Sequence, residues 1–231
     1  MESRRQQQIR AVVFDAYGTL FDVYSIGLMA EQLFPGKGDA LTRMWRERQI
    51  DYTRLRTLSN RYEPFDVITR EAMRWTADAL GLALSAETEQ QLMQRYARLS
   101  AYADALEALH ALERMGMRRA ILSNGTPAML EALVEHNGMG GMFDHVLSVD
   151  AVRQYKTAAA AYQLAPEALG LPPKEMLFVS SNCWDACGAA WFGYTTIWIN
   201  RSGLPAERLG VAPDATGDSL HEVVRFLTGR T

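Results

Sequence analysis

Four short apolar runs in this 231-residue chain each end in side chains able to do chemistry. Residues 12–14 (VVF) run into Asp15, and 119–123 (RAILS) into Ser123, Asn124, Gly125 and Thr126. Residues 145–149 (HVLSV) are followed by Asp150 and then Lys156, and 176–180 (MLFVS) by Ser181, Asn182, Cys183, Trp184 and Asp185. A carboxylate, a hydroxyl–amide pair, an ammonium and a second carboxylate make a full set for nucleophilic catalysis. Taken singly, each has a plainer reading. Asp15 can cap a turn, Ser123 and Ser180 can be helix caps, Lys156 a surface charge, and Asp185 a partner of a helix dipole. Four such coincidences at four strand ends favour one site.

The elements that would bring these residues together are legible in the apolar pattern. The runs are short, rich in β-branched and aromatic residues, and read as strands buried on both faces, the kind found in parallel sheets. Gly18 follows the first where the chain must turn sharply. Helical spacing is predicted over 23–34, 38–59, 65–80 and 86–99, with Met44, Trp45, Leu55 and Leu58 as apolar positions in the second and Ser85 capping the fourth. No strand signal interrupts 22–99. From Tyr102 onward helices (104–115, 127–136, 157–169, 184–191) alternate with strands (119–123, 145–149, 176–180, 195–200), with Thr126 and Pro127 opening the second of these helices. Pro166 should bend or break the third, and Asp218 or Ser219 should cap a last helix ending near Leu227. The expected fold is α/β: a doubly wound (Rossmann-like) parallel-sheet core from 1–21 and 100–231, with 22–99 inserted as a helical bundle.

Composition narrows the function. With 48% hydrophobic and 22% charged residues the chain reads as an ordinary globular protein. A net charge of −3 offers no basic footprint for nucleic acid, and the arginines between Arg43 and Arg61 alternate with acidic and apolar residues as on a solvated helix face. The N-terminal MESRRQQQIR lacks the apolar core of a secretory signal, and no stretch approaches the roughly 18 apolar residues of a membrane span. Cys183 and Cys187 read as free thiols, and a cytoplasmic location is expected. A Ser-His-Asp hydrolase is disfavoured. None of His110, His136, His145 and His221 directly follows a strand, and no GxSxG is present. FDAYGTL also lacks the GxGxxG of dinucleotide enzymes.

The motifs resemble, over essentially the whole chain, the haloacid dehalogenase superfamily, and within it the L-2-haloacid dehalogenases. FDAYGTLF matches its first motif, with Asp15 as nucleophile and Thr19 beside it. LSNGT matches the second through Ser123 and Asn124. Lys156 of YKTAAAAY matches the third, with Tyr162 downstream. FVSSNCWD matches the fourth through Ser180, Asn182 and Asp185, and Arg46 of MWRERQIDYT looks like the cap arginine. The run SSNxWD and the later WINR are narrow to this subfamily. Thr157 stands where many members have proline, a departure that touches helix initiation.

The superfamily's commoner activity, magnesium-dependent hydrolysis of phosphate esters, is the alternative. The phosphatase pattern places a second Asp two residues after the nucleophile, to protonate the leaving alkoxide. Tyr17 occupies that place, and a phenol with pKa of about 10 is a poor acid at neutral pH. A halide needs no proton. Phosphatases also carry a carboxylate-rich fourth motif that holds Mg²⁺, where this chain has Ser181, so no metal and no cofactor are expected.

The resemblance implies that Asp15 displaces the halogen with inversion to form an ester, which water then hydrolyses. It assigns the substrate carboxylate to Ser123 and nearby N–H groups, the halide to Arg46, Asn124 and the Trp184 wall, and the water to Asp185 and Asn182. Lys156 and Thr19 would hold Asp15. Ser180, Tyr17 and Tyr162 complete the set. Ile50 and Phe65 are candidates for the substrate pocket or for core packing. The expected partners are a short 2-haloalkanoate and a second copy of the chain, a homodimer joined through the insertion, where Leu41 and Trp45 read as exposed.

Overall fold

The computed structural model describes residues 9–229; the first eight residues of the N-terminal segment read above for a signal, and the last two of the chain, lie outside this range. The first strand, β1 (Ala11–Phe14), is entirely buried. Four helices follow, α1 (Gly27–Leu33), α2 (Gly38–Leu58), α3 (Phe65–Ala79) and α4 (Ala86–Tyr96). Then α5 (Ala105–Arg114), β2 (Arg118–Ser123), α6 (Pro127–His136) and β3 (His145–Ser148) alternate. They continue as α7 (Ala159–Leu169), β4 (Met176–Ser180), α8 (Cys183–Phe192), β5 (Thr195–Ile199), β6 (Ala215–Gly217) and α9 (His221–Thr228).

The strands form one parallel sheet in the order β3-β2-β1-β4-β5-β6. The order reverses at β1, which pairs with β2 on one side and β4 on the other. In such sheets the ligand crevice opens at the carboxyl ends of the strands beside that reversal. Asp15 is the first residue beyond β1, and its N–H still donates to Val179 O at 2.9 Å. Asp15 therefore stands at the switch point. Gly18, at φ +88°, turns the chain back over it, a conformation open to glycine and strained for other residues.

Several elements differ from the sequence reading. The first helix starts at Gly27 because Asp22 builds a turn instead: its Oδ1 accepts the Tyr24 N–H at 2.9 Å and its carbonyl the Ser25 hydroxyl at 2.7 Å. Leu41 and Trp45, expected at the surface, are buried at 1% and 2% exposure, and the Trp45 indole donates to Thr69 O on α3. Leu55 and Leu58 are the exposed apolar positions, at 59% and 82%. Neither Asp218 nor Ser219 caps α9; the Asp104 carboxylate reaches across to accept the Leu220 N–H at 2.7 Å. The short edge strand β6 carried no legible signal.

Pro166 neither ends nor breaks α7, which runs on to Leu169 and closes at Gly170 in the left-handed region. Proline has no N–H for the carbonyl four residues back, so Tyr162 O loses its helical partner. The Tyr194 hydroxyl donates to that oxygen at 2.7 Å, in a buried setting. The break is thus repaired by a side chain from the segment leading into β5. Tyr194→Phe should lower stability by about 1–3 kcal/mol in chemical denaturation, the cost of an unpaired buried acceptor. The same change in a Pro166→Ala background should cost markedly less; equal costs in both backgrounds would contradict this account.

Candidate active site

Asp15 is 6% exposed, and four side chains converge on its carboxylate. Oδ2 accepts from the Thr19 hydroxyl at 3.0 Å, Asn182 Nδ2 at 2.9 Å and the Ser180 hydroxyl at 3.3 Å. Oδ1 accepts from Lys156 Nζ at 3.0 Å. These donors come from the turn after β1, from the end of β4 and from the loop after β3, so the sheet order alone brings them to one point. The loop after β1 is tied to the loop after β4 as well, since Ser181 N–H donates to Thr19 Oγ1 at 2.8 Å.

Lys156 is 2% exposed and pairs with two carboxylates, Asp15 and Asp185, the second at 2.9 Å. Burial works against its charge, but the two carboxylates outweigh burial and hold the ammonium above its ordinary pKa. Asp185 is wholly buried, and its other oxygen accepts from the Tyr162 hydroxyl at 2.7 Å. Burial, followed by the charge of Asp15, pushes the Asp185 carboxyl up to about 6 against the pull of Lys156 and Tyr162. Two carboxylates share one ammonium, so the cluster is poised to accept a proton.

A small cavity opens on Asp15, lined by Tyr17, Arg46, Ile50, Thr53, Phe65, Asn124, Asn182 and Trp184. Arg46 comes down from α2: one guanidinium nitrogen donates to Gln49 Oε1 at 2.8 Å, another to Tyr17 O at 3.3 Å. The Tyr17 ring packs on Phe65 and Tyr96, with centroids at 5.2 and 5.7 Å. Burial raises its pKa, so the phenol stays neutral, and its hydroxyl has no hydrogen-bond partner among the described residues. The ring lies so close to Gly125 that a Cβ there would sit 2.8 Å from it. A roomier cavity beside Tyr52, Leu55 and Glu71 holds none of this chemistry.

The structure thus brings Asp15, Tyr17, Arg46, Asn124, Asn182, Trp184, Ile50 and Phe65 to the cavity, and Thr19, Ser180 and Lys156 onto Asp15 behind it. Ile50 and Phe65 face the cavity, although Phe65 is also part of the core. Ser123, Asp185 and Tyr162 do not line it. Ser123 is fully buried and its hydroxyl oxygen accepts the Gly125 N–H at 3.1 Å, which shapes the loop that presents Asn124. Asp185 reaches Asp15 only through Lys156. Three residues went unread: Thr53 on the cavity wall, and Gln49 and Tyr96, which hold Arg46 and each other. Arg46, Gln49, Ile50 and Thr53 follow helical spacing, which would have placed all four on one face of α2. Among the described residues, no group of three or more His, Cys, Asp or Glu side chains is arranged to hold a metal ion.

A parallel sheet with a carboxylate at its switch point, paired to a buried lysine, defines a class, and the model of the haloacid dehalogenase-like hydrolases matches residues 9–193. An (S)-2-haloacid dehalogenase of Pseudomonas sp. (strain YL) is 46% identical over 94% of this chain and 94% of its own length. The crystal structure of an L-2-haloacid dehalogenase with 56% identity has a TM-score of 0.94 and is matched over 96% of this chain and 99% of that one. The L-2-haloacid dehalogenase of Xanthobacter autotrophicus with chloropropionic acid covalently bound is 40% identical, with a TM-score of 0.90 over 96% of this chain and 100% of that one. The chain belongs to the haloacid dehalogenase-like hydrolases, in their L-2-haloacid dehalogenase branch.

The raised Asp185 carboxyl has a direct readout. In protein labelled with ¹³C at aspartate carboxyls, one buried resonance should titrate near pH 6, ionised above it and protonated below. It should vanish in Asp185→Asn and move to higher pH in Tyr162→Phe, which removes a donor that favours the carboxylate. A resonance at an ordinary aspartate value would contradict the reading of the cluster.

Proposed function

We propose that the chain is an (S)-2-haloacid dehalogenase. It converts L-2-haloalkanoic acids to (R)-2-hydroxyalkanoic acids and halide, through attack of Asp15 on the α-carbon and an aspartyl ester. The observation that carries this reading is the asymmetry at Asp15. Oδ2 is fixed by three donors, while Oδ1 accepts one bond, from Lys156, and the carboxylate borders the cavity. One oxygen anchors and the other is left a free lone pair for an in-line displacement; such positioning is worth several kcal/mol. The halide departs toward Arg46 and Asn124 against Trp184, with Ile50, Phe65 and Tyr17 as walls that exclude water and strengthen these contacts. The loop of Ser123 and Asn124 takes the substrate carboxylate.

Esterification removes the charge of Asp15. Lys156 then keeps one partner, Asp185, and the buried cluster passes from net negative to neutral. Water attacks the ester carbonyl from the side of Asn182, which reaches the cavity. Asp185 takes one proton of that water through the same cluster, and the acyl–oxygen bond of the ester breaks. The 2-hydroxyacid leaves carrying the other water proton on its new hydroxyl, and the Asp15 carboxylate is restored. Asp185 then returns its proton to solvent. Residues 22–99 serve as a cap domain over the core, 1–21 and 100–231, and supply Arg46, Ile50, Thr53 and Phe65 to the site.

The phosphatase alternative is weaker on this geometry. Tyr17 replaces the acid that would protonate an alkoxide, and its raised pKa makes it poorer still as a proton donor. Two further readings complete the proposal. The chain pairs with a second copy through the cap, now on Leu55 and Leu58, in place of the buried Leu41 and Trp45. It works in the cytoplasm, in keeping with the buried free thiols of Cys183 and Cys187.

With (S)-2-chloropropionate the protein should release chloride and (R)-2-hydroxypropionate at a rate unchanged by EDTA, read by ion and chiral chromatography. Hydrolysis of p-nitrophenyl phosphate that requires Mg²⁺ would favour the alternative. Leu58→Glu should move the species seen in sedimentation velocity from dimer to monomer; an unmoved dimer would place the interface elsewhere.

A further inference from the structure

The loop that carries Lys156 is fastened on both sides. On the core side, Lys156 N–H donates to Asn124 Oδ1 at 3.1 Å, and its ammonium joins Asp15 and Asp185. On the other side, the residue before it is fastened to the helical insertion. Tyr155 N–H donates to Thr57 Oγ1 at 3.0 Å, on the last turn of α2, and the Tyr155 hydroxyl donates to Glu63 O at 2.6 Å. Its ring, fully buried, packs between Tyr62 and Phe65, at 5.1 and 6.2 Å. Tyr62 in turn donates from its hydroxyl to Asp150 Oδ1 at 2.6 Å, at the start of the same loop. Both ends of the 150–156 loop are therefore held by the 57–63 segment of the insertion.

We propose that Tyr155 is a positioning residue that makes the placement of Lys156 depend on the seating of the helical insertion. The inference rests on the reading of Asp15 as nucleophile and Lys156 as its partner, and adds a dependence that reading does not contain. Adjacent Cα atoms are held about 3.8 Å apart, so a displacement of Tyr155 from Thr57 and Glu63 is passed along the chain to Lys156 and its bonds to Asn124 and Asp15. When the insertion seats, it closes the cavity with Arg46 and, through Tyr155, sets the ammonium against the attacking carboxylate. When it lifts, both contacts loosen together. Covering the substrate and assembling the charge cluster become one event, which confines the competent nucleophile to the closed state.

Thr57 offers a mild test, because it is half-buried and touches neither the cavity nor Asp15. Thr57→Val keeps the shape and removes the acceptor, while Thr57→Ser keeps the acceptor. Thr57→Val should lower kcat for halide release about ten-fold, the rate equivalent of one well-placed hydrogen bond, with KM moved less than about two-fold. Thr57→Ser should restore kcat. Tyr155→Phe should behave like Thr57→Val, and the two changes together should cost less than the product of the separate effects. Hydrogen exchange across 149–158, which needs no activity, should speed up in Thr57→Val and not in Thr57→Ser. Unchanged exchange and kcat in Thr57→Val, or kcat lost only in proportion to unfolded protein, would overturn the proposal. An unmodified protein that releases no halide, yet shows the same exchange differences, would fail the dehalogenase reading and leave the coupling standing.

Discussion

Two carboxylates sharing one buried ammonium is the arrangement on which the rest of this structure depends. Asp15, Lys156 and Asp185 are each almost without solvent contact. Desolvating charges costs several kcal/mol per ion, and a buried pair is tolerated only when the remaining lone pairs and protons are also satisfied. Here Thr19, Ser180 and Asn182 close around Asp15 Oδ2 and Tyr162 around Asp185, and the capacity left over is at Asp15 Oδ1, which accepts from Lys156 alone. The cluster stays one negative charge in excess, and burial first, then the charge of Asp15, raises the Asp185 carboxyl. A reaction that esterifies Asp15 removes that excess. The electrostatic imbalance of the resting site thus points toward the proposed chemistry.

The parallel sheet positions this cluster, because β1, β2, β3 and β4 all end on the same side with β1 at the reversal of order. The core alone would leave Asp15 facing water. The helical insertion supplies Arg46, Ile50, Thr53 and Phe65 as the far wall, and Gln49 and Tyr96 keep the guanidinium aimed. The same insertion grips the lysine loop through Thr57 and Glu63. Its packing on the core is therefore part of the site, not merely a cover for it.

Much of this was legible because parallel strands announce themselves as short apolar runs and because reactive residues must follow their ends. Asp15, Asn124, Lys156 and Asn182 were singled out that way, and the fold brings them together around one carboxylate. Periodicity without contact information misjudged which face of α2 is buried, so Leu41 and Trp45 were read as surface and Leu55 and Leu58 as core-spaced. Pro166 was read as a bend or a break because the donor that rescues the helix, the Tyr194 hydroxyl, lies 28 residues downstream in the sequence and beside it only in the fold. Ser123 and Asp185 fell at the right strand ends, yet their side chains turn into the protein; a motif fixes position along the chain and not side-chain direction. Tyr155 stands first in YKTAAAAY, yet the motif gave it no role, since its contacts are to a backbone carbonyl and a threonine hydroxyl in another segment.

The central claim is that Asp15 is alkylated and then freed by hydrolysis at its own carbonyl. A single turnover of excess enzyme with (S)-2-chloropropionate in H₂¹⁸O, followed by digestion and mass spectrometry, tests it most directly. One ¹⁸O atom should appear in the peptide that contains Asp15, with unlabelled oxygen in the first 2-hydroxypropionate released. Chloride released in full with label in the product and none in that peptide would contradict the account.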